Sequence, residues 1–420
     1  MKILLIHQNF PGQFKHLGPA LAARGDQVVV LTPKVKEPAK WRGISILPYT
    51  IKGASSRDIH PWLADFETKL LRGTGCHDAA LALREQGYNP DVIVAHHGWG
   101  ESLFLKDVWP DARLGLYCEL YHRASGTETG FDPEFPSKTP DRDALRLRMK
   151  NINNRLHAEV MDAGLSPTQY QAGTYPDAYR DRITVCHDGV DTDRITANPN
   201  AALDLPDGRT VTPEDEVVTF VNRNLEPYRG YHIFLRALPD LLRRRPGAQV
   251  VLLGGDETSY GAKPPDGKSW KQIFIDEVRP QMPDTDWARV HFLGRVPYET
   301  FLSVLQVSRV HVYLTYPFVL SWSLLEAMSA ECAIIASDTA PVREAIIDGQ
   351  TGVMVDFFDG AALVDETCAL LDSPARRAQL GANARKFAQD SYDLTRICLP
   401  RQLQWVDDLA RTAPVRHPSD

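Results

Sequence analysis

Arg223 and Arg229 bracket the stretch Arg223-Asn224-Leu225-Glu226-Pro227-Tyr228-Arg229-Gly230. An apolar run at 217–222 precedes it and an amphipathic run at 231–244 follows it. The stretch therefore reads as the loop between a buried strand and a helix. Two guanidinium groups held on one such loop can neutralise a diphosphate through bidentate bonds. Each charge-assisted bond contributes ~1.5–3 kcal/mol. Further on, residues 310–314, 321–330 and 333–337 read as strand, helix and strand, a right-handed crossover. Its loop falls at the carboxyl edge of a parallel sheet, where open α/β sheets bind ligands. Free backbone N–H groups at the helix start, over Ser321, Trp322 and Ser323, suit a phosphate. Glu326, near the first turn, can accept two hydroxyl hydrogen bonds, as from a ribose.

A second set of candidates lies in the first half. The apolar run 91–95 ends in His96-His97-Gly98-Trp99-Gly100-Glu101. Either histidine can hydrogen-bond a sugar hydroxyl at that strand end. A metal is the weaker use of the pair, because no third ligand follows at a suitable spacing. The run 114–119 leads into Glu119-Leu120-Tyr121-His122, again at a sheet edge. In the turn HQNFPGQF, Gly12 sits where backbone can approach an acceptor or a phosphate; a glycine needed only for the turn fits equally well. The turn has no G-x-G-x-x-G, so a dinucleotide site is not expected. Residues 123–140, rich in Gly, Pro and Thr, read as a long loop, either an acceptor lid or a surface excursion. Residues 141–161 read as one helix with a basic face, solvated or set against an anionic acceptor or lipid surface. Residues 187–192 are expected to line a site.

The elements that must carry these groups follow from the rest of the chain. The opening strand–helix–strand pattern of residues 2–31, repeated from residue 217, is that of doubly wound α/β sheets. The chain has 420 residues and a net charge of −7, which does not favour a nucleic-acid partner. Six scattered cysteines give neither a zinc pattern nor a disulfide framework and suit a reducing cytoplasm. The start, MKILLIHQNF, reads as a strand rather than a signal peptide. No apolar run is long enough to span a membrane. Residues 193–216 carry Pro, Asp and Gly without an apolar period and read as a linker. That places an N-terminal domain at 1–195, a linker at 196–216 and a C-terminal domain at 217–390.

The stretch LLEAMSAECAIIASDTAPVREAIIDGQTGVMV resembles the donor-site signature of the family 4 glycosyltransferases, which are retaining enzymes. The resemblance implies the GT-B fold, with two Rossmann-like domains facing a central cleft and a closing helix, about 391–411, returning to the first. It implies a nucleotide diphosphate sugar as donor, an unidentified hydroxyl acceptor, and no metal or other cofactor. In the family pattern two glutamates flank seven residues. Glu326 matches the second, which holds the nucleotide ribose. Phe318 stands where the first, a contact of donor-sugar hydroxyls, would fall. Arg223 matches the family arginine and Arg229 takes the place of its lysine at the donor diphosphate. Gly294 and Arg295 match a loop near the nucleotide base. The family often carries a histidine near the donor sugar after the 114–119 strand, a role open here to Glu119 or His122. Gly12, His96 and His97 would border the donor.

The resemblance implies transfer in glycoconjugate, polysaccharide or glycolipid synthesis, at a cytoplasmic location or at the inner membrane face. Two rivals remain: a nucleotide-sugar epimerase of the same fold, and a non-catalytic sugar-nucleotide binder, which the phenylalanine at 318 would suit.

Overall fold

Continuous apolar runs, rather than alternating ones, make most strands of this chain parallel and covered on both faces. The computed structural model describes residues 1–416, apart from the side chain of Asp266. It divides into two compact units: Met1–Asp188 with the chain from Thr395 onward, and Gly189–Leu394.

The N-terminal unit holds β1 (Lys2–Ile6), β2 (Gln27–Thr32), β3 (Ala39–Trp41), β4 (Ile44–Pro48), β5 (Val92–Ala95), β6 (Arg113–Tyr117), β7 (Ala163–Ser166) and β8 (Ile183–Val185). They form one sheet in the order β3-β4-β2-β1-β5-β6-β7-β8, with only β3 antiparallel. Alternation along β1 shows the two covered faces. Ile3 and Leu5 pack with Val28, Val30 and Trp405, whereas Leu4 and Ile6 pack with Val29, Leu31 and Ile93. The strand order reverses between β1 and β5. That switch point sets the loops after those strands side by side at the carboxyl edge.

The C-terminal unit begins with a two-stranded piece, β9 (Leu203–Asp204) against β10 (Thr210–Val211). Its main sheet comprises β11 (Val217–Asn224), β12 (Gln249–Gly255), β13 (Val290–Gly294), β14 (Val310–Tyr313), β15 (Ile334–Ser337) and β16 (Val353–Val355). All six strands are parallel, in the order β13-β12-β11-β14-β15-β16. Here the switch point falls between β11 and β14. The loops that carry Arg229 and Ser321 both leave the sheet there.

Two sequence readings need correction. Residues 196–216 are not a free linker. Ala201, Leu203, Leu205 and Val211 are buried in the core of the C-terminal unit. The Arg385 guanidinium ties the preceding turn by donating to the carbonyls of Thr192 and Ile195. Apolar residues spaced by Pro, Asp and Gly show no period, yet they dock singly. The helix expected over 141–161 is two helices, Pro140–Lys150 and Ile152–Val160. Asn151 breaks it, with its amide exchanging hydrogen bonds with both backbone groups of His122, at 3.1 and 2.7 Å. The loop expected after His122 runs without helix or strand to Thr139 and is anchored, with Thr127, Glu128 and Asp132 buried. The closing helix, Leu399–Arg411, belongs to the N-terminal unit and follows a π-helical turn at Leu394–Cys398.

Gly230 is required where Arg229 hands over to helix Tyr231–Arg244. It has φ +69°, and a Cβ there would lie 2.3 Å from the Cβ of Leu314. Left-handed strain of about 1–2 kcal/mol adds to an overpacking cost of about 1–3 kcal/mol. Gly230→Ala is therefore expected to lower Tm by about 5–15 °C in thermal unfolding. A shift under about 2 °C would mean that the strand end gives way without cost.

Candidate functional site

Arg223 lies near the end of β11, exposed, and among the described residues its guanidinium pairs with nothing. Arg229 ends the helical turn Pro227–Arg229 and is only 6% exposed. Its Nη1 donates to the Thr315 hydroxyl at 2.8 Å and the Val319 carbonyl at 3.1 Å. Those two bonds use both Nη1 hydrogens. The Nε and Nη2 side of the fork has no protein acceptor among the described residues. The rings of Tyr260 and Phe318 lie 5.3 and 5.8 Å from the guanidinium carbon. One edge of Arg229 is thus fixed, its plane is packed, and the other edge has no partner among the described residues.

Glu226, buried between these arginines in sequence, accepts the amides of Ser259 and Tyr260 on Oε2, at 3.0 and 3.1 Å. Burial pushes its carboxyl up to about 7, against the pull of those amides and of Arg229 and Arg223. Phe318 packs on Tyr260 and Tyr228, with ring centroids 4.8 and 5.6 Å apart. It makes an aromatic wall where a carboxylate was the expected type.

Ser321 precedes helix Trp322–Ser329 but does not cap it with its side chain. The Ser321 hydroxyl meets that of Ser323 at 2.9 Å, and its backbone N–H donates to Tyr313 Oη at 3.0 Å. No Ser321 side-chain oxygen occupies the first turn, where the Leu324 N–H donates to the Ser321 carbonyl at 3.2 Å. Trp322 is 41% exposed beside them. Glu326, on the same helix, accepts from Tyr298 Oη at 2.7 Å. Gly294 closes β13 in the left-handed region, at φ +66°. Arg295 turns back onto Asn224 Oδ1 at 3.1 Å and Glu257 Oε2 at 2.5 Å. All these residues therefore share the carboxyl edge of one sheet.

In the N-terminal unit the expected group is split. His96 stacks on Trp99 and Tyr117, with centroids 4.2 and 5.3 Å apart, and its Nε2 lies 3.6 Å from Glu119 Oε2. His7 joins this cluster from the end of β1, its ring 5.3 Å from that of His96. Burial and the neighbouring His96 bring His7 down to about 4, so it is neutral at physiological pH. Gly12 is needed beside it, because a Cβ there would lie 2.2 Å from the His7 ring. His97 departs from this group and is structural. Its Nδ1 meets the Tyr117 carbonyl and its Nε2 meets Asn154 Oδ1, both at 3.1 Å. His122 is held by Glu128 at 3.1 Å, on a separate anchored loop. Of the two residues weighed after β6, the structure sets Glu119 with His96 and gives His122 another partner.

Sequence reasoning missed Glu226, Thr315, Tyr260, Tyr298 and His7. Glu226 and His7 carried a usable signal, since one lies between two arginines and the other ends a buried strand. Tyr260 and Tyr298 carried none, because their loops meet the site only through strand order.

Two doubly wound, largely parallel sheets, one in each unit, are the arrangement of the GT-B fold, and the solved structures agree on that fold. Sucrose-phosphate synthase from Thermosynechococcus elongatus superimposes with a TM-score of 0.73 at 17% identity, over 98% of this chain and all of that one. Anabaena HepE, solved in complex with UDP-glucose, gives a TM-score of 0.65 at 15% identity, over 96% of this chain and all of its own. The chain belongs to the group 1, family 4 glycosyltransferases: residues 24–195 match the family 4 group and residues 207–387 match glycosyl transferases group 1. It is also 23% identical to the D-inositol 3-phosphate glycosyltransferase of Corynebacterium efficiens, over 89% of this chain and 84% of the relative. The Nocardia farcinica protein of that name is 28% identical, over 87% of this chain and 77% of its own length. The chain is accordingly a glycosyltransferase that uses a nucleotide-sugar donor. No helix among the described residues is long and apolar enough to cross a membrane.

Proposed function

We propose that the C-terminal unit holds a nucleoside diphosphate sugar at its switch point and passes the sugar to an acceptor hydroxyl with retention of anomeric configuration. The open Nε–Nη2 edge of Arg229, close in sequence to the unpaired Arg223, is the observation that carries this reading. Both guanidinium groups and the uncapped helix start at Ser321 would stabilise charge growing on the departing diphosphate. No side-chain pair here reads as nucleophile and acid. Same-face attack fits best, with the acceptor oxygen bonding the anomeric carbon as the phosphate oxygen leaves and takes the acceptor proton.

Glu326 would hold the ribose, and the loop at Gly294 and Arg295 would border the base. The relatives' names make a cyclitol phosphate the first acceptor to try, in the setting of glycoconjugate synthesis. The deciding experiment incubates the protein with UDP-, GDP- and ADP-sugars, with and without acceptor, and follows the product anomer by NMR. Acceptor-dependent release of nucleoside diphosphate with retained configuration supports the reading. An epimerised donor formed without acceptor would replace it with the epimerase. Glu326→Ala is expected to weaken nucleoside diphosphate binding about tenfold while kcat falls far less. A calorimetric Kd unchanged within about twofold would remove the ribose role from Glu326.

A further inference from the structure

Tyr260, on the segment between β12 and helix Trp270–Val278, lies over Arg229, and a buried carboxyl holds the segment there. Glu226 is 1% exposed, with Oε2 taking two backbone amides of this segment and Oε1 buried without a hydrogen-bond partner among the described residues. A carboxyl left half-satisfied in the interior costs stability. Asn224 adds a second tether, its Nδ2 donating to the Ser259 hydroxyl at 2.6 Å. The tethered segment carries Tyr260 onto Arg229 and against Phe318, and brings Gly261 so close to Tyr228 that a Cβ would lie 2.6 Å from its ring.

We propose that Glu226 is a positioning residue of the donor site, latching the segment after β12 so that Tyr260 covers the Arg229 guanidinium. This rests on the donor-site reading above. Thr315 and Val319 fix one edge of the guanidinium, while Tyr260 and Phe318 fix its plane. The ring contact contributes and also keeps water from the cation, which strengthens its grip on a diphosphate. The arginine is then held in its binding geometry before the ligand arrives, so less freedom is lost on binding.

The test measures UDP and GDP binding by calorimetry for Glu226→Ala, Glu226→Gln, Tyr260→Leu and the alanine–leucine double variant, with Arg223→Ala as control. Glu226→Ala and Tyr260→Leu are each expected to raise Kd about tenfold. The double variant should be no worse than about threefold beyond either single one, because both break one chain of contacts. Glu226→Gln, whose carbonyl still accepts the two amides, should stay within about threefold of the parent. Unchanged Kd in Tyr260→Leu, or fully multiplied effects in the double variant, would overturn the latch. Should Glu226→Ala fail to fold, Tyr260→Leu and Glu226→Gln decide. If Arg223→Ala weakens binding and Tyr260→Leu does not, only the latch fails. If Arg223→Ala also binds as the parent does, the donor site itself is misassigned.

Discussion

Arg223→Ala is expected to lower kcat/KM by about 10²–10³, which corresponds to about 2.7–4 kcal/mol of lost transition-state stabilisation. The side chain is exposed and unpaired among the described residues, so its loss should change folding stability by no more than about 0.5 kcal/mol. This separation makes it the sharper probe of the two arginines. Arg229 also ties Thr315 and Val319 together, and its removal would damage fold and site at once. Arg223→Lys keeps the charge but loses the two-pronged geometry, and should recover only part of the rate. Steady-state kinetics beside thermal unfolding settle the matter. A variant that turns over at the parental rate would detach Arg223 from the chemistry.

Acid should unfold the N-terminal unit before the C-terminal one. Burial lowers His7 from 6.5 to about 4, with the neighbouring His96 adding to the shift. Burial does the same to His157 and His187, also in that unit. A histidine with a depressed folded pKa binds fewer protons when folded. Its stabilising contribution is full above pH 6.5 and is lost as pH falls towards 4. Each such shift is worth about 3 kcal/mol, so the three together approach the whole stability of an ordinary domain.

In the C-terminal unit the same effect falls on two histidines among the described residues, His311, at about 4, and His291, which burial also lowers. Glu226 opposes it there. Its raised folded pKa, about 7, means that protonation below that pH favours the folded form. Hydrogen exchange followed by peptide mass should therefore show protection in residues 1–188 collapsing first between pH 6.5 and 4. Simultaneous collapse of both units, or of the C-terminal unit first, would contradict this account of the buried histidines.

Much of this was readable from the chain. The crossover at 310–337 and the arginine loop declared themselves because strand, turn and helix signals agree locally. Ser321 or Ser323 was expected to cap the following helix; Ser321 stands at its start but makes no side-chain cap. What the sequence hid depends on which loops the sheet order makes neighbours. Tyr260 lies thirty-one positions from Arg229 and meets it only because β12 lies beside β11. Phe318 looked like a missing carboxylate and is the wall of an aromatic group instead. His97 and His96, adjacent in sequence, point to different partners because a turn, His97–Trp99, begins between them. The hairpin at 203–211 was invisible because its apolar residues dock one at a time.

The route of the chain also orders its synthesis. The Trp405 ring fills the space over Gly115, where a Cβ would lie 2.5 Å away. Trp405, Val406 and Leu409 complete that face of the N-terminal sheet. On a ribosome, Gly189–Leu394 emerges whole and can close its core while the earlier-made portion still waits for its last helix. The half that is translated first therefore closes its last face only with residues 399–411, and a premature stop after residue 394 would leave that face uncovered.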